Sequence, residues 1–199
     1  MNKLQDYTYK NKTIEIRARK IDDYEIFLEA YNNLDVSQRK YDKGYEDMSF
    51  ATKDWYKAKL KLWESLAVRD VAYLFGIFRL SDGKMVGYCD LATQYREDYQ
   101  IGMVGYAVFN PYWEKGYAKE AVEAMSYIGF NKLGYHRLEA HINLDNDISK
   151  KVVLSSGFKF EGIREKYIKE NDGWIDHEIY TLINSKDGND ENNRKLWFK

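Results

Sequence analysis

The stretch from Gly105 to Gly134 most narrows what this chain can fold into. An apolar strand, a glycine-bearing turn and an amphipathic helix follow one another there without a break. The strand reads Gly105-Tyr106-Ala107-Val108-Phe109, the turn runs from Asn110 to Gly116, and the helix is expected over Tyr117 to Leu133, where Gly134 stops it. Ala118, Ala121, Val122, Met125, Ile128 and Leu133 form one apolar face, so the helix is expected to pack on a sheet. A helix that directly follows a buried strand aims its unpaired N–H groups and positive dipole end at the carboxyl edge of that sheet. Phosphate oxygens bind well at such an edge, so the turn is expected to hold a phosphate-bearing cofactor.

The rest of the chain supplies a sheet and its covering helices. Thr13 to Ala18 alternates like a half-buried strand, and Asp22 with Glu25 three residues later predicts a capped helix carrying Ile26, Phe27 and Ala30. Leu34 to Phe50 has no clean period and reads as a surface loop. Thr52 caps a second helix, in which Trp55, Tyr56, Leu60, Trp63, Leu66 and Ala67 recur at helical spacing. Val71–Leu80 and Met85–Leu91 flank Ser81-Asp82-Gly83 and predict a hairpin, followed by a charged loop over Tyr95–Tyr99 and a third strand from Ile101 to Phe109. Arg137–Asn143 is a strand parallel to the one before the cofactor helix. Asn146 caps a short helix ended by Gly157, and Phe158–Ile168 with Trp174–Ile183 close the fold as a hairpin across Asn171-Asp172-Gly173. The expected class is α/β, a mixed sheet in the order β-α-α-β-β-β-α-β-α-β-β, with one domain over residues 1–184 and a polar tail over 185–199.

Composition excludes several classes of function. With 31 basic and 32 acidic residues the formal charge is −1, which lacks the electrostatic footprint of a nucleic-acid binder. One cysteine, Cys89, rules out an internal disulfide and a cysteine-rich zinc site; with three scattered histidines, no metal is expected. No apolar run approaches a membrane span and the first residues do not read as a signal peptide, so a cytoplasmic protein without a membrane partner is expected.

The element order resembles the GCN5-related N-acetyltransferase (GNAT) superfamily over Thr13 to Ile183. Two motifs carry the resemblance. Trp113-Glu114-Lys115-Gly116-Tyr117-Ala118 is similar to the family's acetyl-CoA pyrophosphate turn, and Asn146-x-x-Ser149 followed by Gly157-Phe158-x-x-Glu161-Gly162 resembles its later motif. Trp113, Ser149 and Gly173-Trp174-x-Asp176 most resemble the branch that acetylates the N-terminal amines of ribosomal proteins. The resemblance implies acetyl-CoA as cosubstrate, its diphosphate held by N–H groups from Glu114 through Ala118, and its pantetheine arm held by the backbone of Val108 and the side chain of Asn146. Lys115 and Lys119 add screened positive charge, with Lys150 or Lys151 as further candidates.

The chemistry requires a neutral amine to attack a thioester, with one proton leaving the amine and one reaching the departing thiolate. Many relatives place a tyrosine seven residues after the Asn for the second task, and here that residue is Val153. Ser149 is the replacement the branch implies. The acid that many relatives carry two residues before the Gly105-Tyr106 pair is Met103 here, so the base is open between Asp90, His141 and a water chain ending on either. Acceptor specificity is expected from the segment before Phe50, from the Tyr95–Tyr99 loop and from the last hairpin; their acidic residues suggest a cationic acceptor. A peptide N-terminus or a small polyamine- or aminoglycoside-like amine fits, and a catalytically weak acyl-CoA sensor or scaffold is the alternative from another class.

Overall fold

A computed structural model describes residues 3–42, 44–170 and 173–185. Among the described residues, eight strands form one sheet in the order β1-β2-β3-β4-β5-β6-β8-β7. They are β1 (Tyr9–Lys10), β2 (Ile14–Arg17), β3 (Ala72–Arg79), β4 (Met85–Tyr95), β5 (Ile101–Val108), β6 (Arg137–Asn143), β7 (Lys159–Glu170) and β8 (Gly173–Ile183). Four helices cover it: α1 (Tyr24–Asn32), α2 (Lys53–Val68), α3 (Tyr117–Asn131) and α4 (Asp147–Ser155). No helix among the described residues is long and apolar enough to cross a membrane.

Two apolar clusters lock the layers. Phe27, Met48, Tyr56, Phe78, Met85 and Phe109 gather α1 and the start of α2. Ala121, Val122, Met125 and Ile128 of α3 pack with Leu91, Val104, Leu138 and Ile142, all 5 % exposed or less. Burying each of those larger side chains stabilises the fold by about 1.5–3 kcal/mol, which outweighs the modest intrinsic preference of a single helix. Successive strand residues point to opposite faces. On β6, Leu138, Ala140 and Ile142 therefore join the α3 cluster while Glu139 and His141 point away from it, and on β4 Asp90 alternates with Cys89 and Leu91 of that cluster.

The sheet is continuous from β1 to β5, but β5 and β6 are held together only at Ile101↔Arg137, Gly102↔Leu138 and Met103↔Glu139. Beyond Met103 the two parallel strands part, because β5 stays paired with β4 as far as Val108 while β6 stays paired with β8 as far as Asn143. That gap positions the site.

Local signals placed most elements. Thr52 Oγ1 accepts from Trp55 N and Asn146 Oδ1 accepts from Ser149 N, as expected of N-caps. The first helix differs: a 3-10 turn over Ile21–Asp23 precedes α1, and Asp23 rather than Asp22 accepts from Lys20 N while gripping the guanidinium of Arg17. The two-residue β1 lies ahead of the expected first strand, and Tyr95 ends β4 instead of opening a loop. Asn171, Asp172 and the tail beyond residue 185, with Trp197 and Phe198, lie outside the described residues.

Candidate active site

The turn between β5 and α3 is built as a donor cradle. Pro111 sits in a 3-10 turn over Asn110–Tyr112, and the indole Nε1 of Trp113 donates to Val108 O at 2.8 Å, folding the turn back on the end of β5. Glu114 and Gly116 both take positive φ, 60° and 86°, and Gly116 is the N-cap of α3. A Cβ on Gly116 would meet nothing nearer than Glu120 Oε1 at 3.9 Å, so the glycine keeps open the space in front of the first helical N–H groups.

In front of this turn lies a cleft of about 870 Å³. Val108, Trp113, Glu114, Gly116, Tyr117, Ala118, Asn146 and Ser149 all line it. Lys115 turns away, its amine donating to Pro111 O at 3.2 Å; Lys119 lines the cleft, and Lys150 is committed to Glu178 at 2.7 Å and Leu144 O at 2.6 Å. The remaining wall comes from the segment before Phe50. Its Asn110-anchored loop brings Arg39 over the Trp113 ring at 4.3 Å and Lys40 to Asp145 at 2.7 Å, and Tyr41 also hydrogen bonds Asp145.

A second, smaller cavity of about 170 Å³ fills the gap between β5 and β6, lined by Gly105 and His141 among others. Tyr106, Asn146 and Ser149 line both cavities and mark where they meet. Ser149 Oγ has no hydrogen-bond partner among the described residues, while the Ser149 carbonyl accepts from Tyr106 Oη at 3.2 Å. Burial pushes the Tyr106 phenol up to about 12, against the hydrogen bond to Ser149. Sequence reasoning does not single out Tyr106, although it stands two residues before Val108 on the strand face that turns toward α3. Val153 is wholly buried in the α3 cluster and serves packing.

Both candidate bases lie on the face opposite α3. Asp90 pairs directly across from Gly105, and a Cβ on Gly105 would come within 2.5 Å of Asp90 Oδ1, so the missing side chain is the space the carboxylate occupies. No described residue hydrogen bonds that carboxylate. Burial pushes its pKa up to about 6, opposed by the positive charge of Arg19. Two residues past the last β5–β6 pair, His141 sits on the other side of Gly105. Its Nε2 is 2.8 Å from Glu139 Oε2, and Glu139 also accepts from Arg137 Nε at 2.8 Å and faces Arg164 at 3.0 Å. Burial works to raise the Glu139 pKa, but the hydrogen bonds from His141 and Arg137 and the charges of Arg164 and Arg137 win and hold it at about 2. An ionised Glu139 fixes the His141 ring with its Nε2 proton directed at the carboxylate. Glu139 is the register partner of Met103, so the acid missing from β5 stands one strand away, already spent on two arginines and a histidine.

The Tyr95–Tyr99 loop is not part of the site. Arg96 in it binds Asp70 and Leu133 O and stacks on Tyr135 at 4.1 Å, at the far end of the β4–β5 hairpin from the cleft. Cys89 is 1 % exposed in the α3 cluster, and burial raises its thiol well above the ordinary value, so it is packing.

Residues 13–159 match the acetyltransferase (GNAT) domain family. A probable N-acetyltransferase of Bacillus subtilis, YjcK, is 29 % identical over 183 residues, covering 89 % of this chain and 98 % of its own. Two solved structures share the fold. The ribosomal-protein-S5-alanine acetyltransferase of Vibrio fischeri is 23 % identical, with TM-score 0.70 over 89 % of this chain and 97 % of its own. RimJ of Mycobacterium smegmatis, solved in complex with CoA-disulfide, is 18 % identical, with TM-score 0.72 over 94 % and 91 %. A domain match over most of the chain, on a sheet parted beside a glycine-turn helix, makes this protein a member of the GNAT family and an acetyl-CoA-dependent N-acetyltransferase.

Proposed function

We propose that the protein moves the acetyl group of acetyl-CoA to a primary amine by direct attack within a ternary complex. The observation that carries this reading is the meeting of two cavities at Tyr106, Asn146 and Ser149, one reaching the phosphate turn and the other opening between β5 and β6 toward Gly105. The diphosphate fits the N–H groups of Glu114 through Ala118, with Lys119 beside them. The pantetheine arm runs along Val108 and Asn146; the Val108 carbonyl already accepts from Trp113 and keeps a second lone pair.

The thioester then lies at the junction, and the amine approaches over Gly105 from the face opposite α3. Asp90 takes the proton the amine must lose, and a carboxylate with pKa about 6 is ionised at neutral pH yet more basic than an exposed one. His141, held by Glu139, lines the approach and orders it. Ser149 Oγ gives a proton to the leaving thiolate, whose reference pKa of about 8.5 makes that help modest. Asp90 and Ser149 fill the roles left open at Met103 and Val153, which favours an enzyme over an acyl-CoA sensor. The acceptor is a peptide N-terminus or a small amine, in the reducing compartment that supplies acetyl-CoA.

The test is release of free CoA thiol from acetyl-CoA against a panel of peptide and small amines, with acetylated product identified by mass. Acetyl-CoA binding with no product from any amine would overturn the assignment of a transferase site, and equal binding by Gly116→Glu would overturn the phosphate turn.

A further inference from the structure

Arg17 ends β2 and Arg19 follows two residues on, yet their surroundings differ. Arg17 lies over Phe78 at 3.7 Å and makes two bonds to Asp23, at 2.7 and 2.8 Å. Arg19 is 8 % exposed, lies over the Trp63 ring at 3.8 Å, and makes no hydrogen bond or ion pair with any described residue. Among the described residues, two buried side-chain polar atoms lack a partner, Arg19 Nε and Tyr56 Oη. Both belong to one cluster, since Tyr56 also packs on Trp63, at 6.5 Å between rings, and feels the charge of Arg19. The guanidinium acts electrostatically on Asp90 and on Tyr31 and Tyr88, which line the cleft.

A buried guanidinium left without a carboxylate is costly, and an anion from outside the chain would offset that cost. The guanidinium Nε can only donate and the Tyr56 hydroxyl is able to donate, so an acceptor with negative charge suits both. The Trp63 ring lies 3.8 Å from the guanidinium carbon, and a planar guanidinium covered on one face still has its N–H edge to grip a carboxylate or phosphate. Asp90, the proposed proton acceptor, lies on the same sheet face.

From this we infer that Arg19 and Tyr56 form an anion subsite of the acceptor pocket, so that the acceptor is a primary amine that also carries a carboxylate or phosphate. The inference rests on the transferase reading above and narrows its substrate class, away from the purely cationic amine that the acidic loops suggested. Neutralising Arg19 with the acceptor's anion would also remove the charge that opposes proton uptake by Asp90, so the right acceptor prepares its own base.

The experiment pairs each amine with a neutral analogue: amino acids against their amides, and aminoalkyl phosphates against the amino alcohols. In the wild type the anionic partner is expected to show kcat/KM about tenfold or more above the neutral one, mostly through KM, as one charge-assisted pair gives. In Arg19→Gln the two partners become equal, and Arg19→Lys keeps part of the preference. The amino acid and phosphate arms show which anion is read. A wild-type ratio near one, meaning an ordered water only beside Arg19, overturns the subsite, and so does an unchanged ratio in Arg19→Gln. Failure of the transferase reading looks different, because neutral amines then give no product either. A turnover-free readout covers that case: N-acetylglycine raises the Tm of the wild type and not of Arg19→Gln, whereas N-acetylglycinamide raises neither. Absence of that shift overturns the subsite regardless of activity.

Discussion

At the scale of single residues, Asp90 and Gly105 are one device. The carboxylate occupies the volume where a Cβ at 105 would stand, so Gly105→Ala displaces it. That variant is expected to lose kcat while binding acetyl-CoA normally, which a rate assay beside a binding titration resolves. Asp90→Asn removes the proposed base outright, and kcat/KM is expected to fall about 10²-fold or more. The same substitution is expected to stabilise the protein. The folded pKa of Asp90, about 6, lies above the ordinary value of 3.8, so this group favours folding below pH 3.8 and loses that contribution as pH rises through 6. At pH 7 it is an ionised, desolvated liability, and its removal should add on the order of 2 kcal/mol, read as a higher Tm. Lower activity with higher stability would separate a functional acid from a structural one, since the latter loses both.

At the scale of elements, the turn before α3 and the loop before Phe50 are facing walls of the large cleft, and the proposed function gives both a hold on the cofactor. Gly116 holds φ at 86°, where a side chain costs roughly 1 kcal/mol and crowds the bound oxygens as well, so Gly116→Ala should weaken acetyl-CoA binding by about tenfold while the chain still folds. The loop bridges the cleft through Lys40, Tyr41 and Asp145, all near the surface. Exposed pairs of this kind hold little, so Asp145→Asn is expected to speed acetyl-CoA release only a few-fold in stopped-flow displacement and to spare the chemical step. Both elements differ in how far the sequence disclosed them. The turn, α3 and the caps at Thr52 and Asn146 rest on contacts within a few residues, which spacing reports directly. The parting of β5 and β6 depends on which neighbour each strand keeps, and β1 is two residues long, so neither leaves a periodic trace. The same holds for Glu139. It sits in an alternating strand like any surface acid, and only the arrival of Arg164 from β7 and the register with Met103 give it a role.

At the scale of the whole molecule, the carboxylates split into two populations that answer to acid differently. Glu139 ties β6 to β7 through Arg137 and Arg164, and its folded pKa of about 2 lies below the ordinary 4.5. Its stabilising contribution is therefore complete above pH 4.5 and is lost as pH falls toward 2, on the order of 3 kcal/mol in all. Asp70, which burial would raise, is instead lowered by the bonds from Arg96, Tyr73 and Thr93, and its contribution fails in the same acid range. Asp90 is the one carboxyl among the described residues pushed upward, and protonating it relieves the fold. Activity and stability should consequently part company on acidification. Between pH 7 and 5, kcat/KM is expected to fall along a limb centred near 6 as Asp90 takes up its proton, while Tm holds steady or rises slightly. Below about pH 4.5 Tm drops as the Glu139 and Asp70 networks are neutralised. Glu139→Gln should remove most of the Glu139 share of the low-pH loss by lowering Tm at neutral pH instead, and leave the activity limb near 6 in place. If the activity limb moves with the unfolding curve, or survives unchanged in Asp90→Asn, the limb belongs to folding or to another group, and the base must be sought at His141.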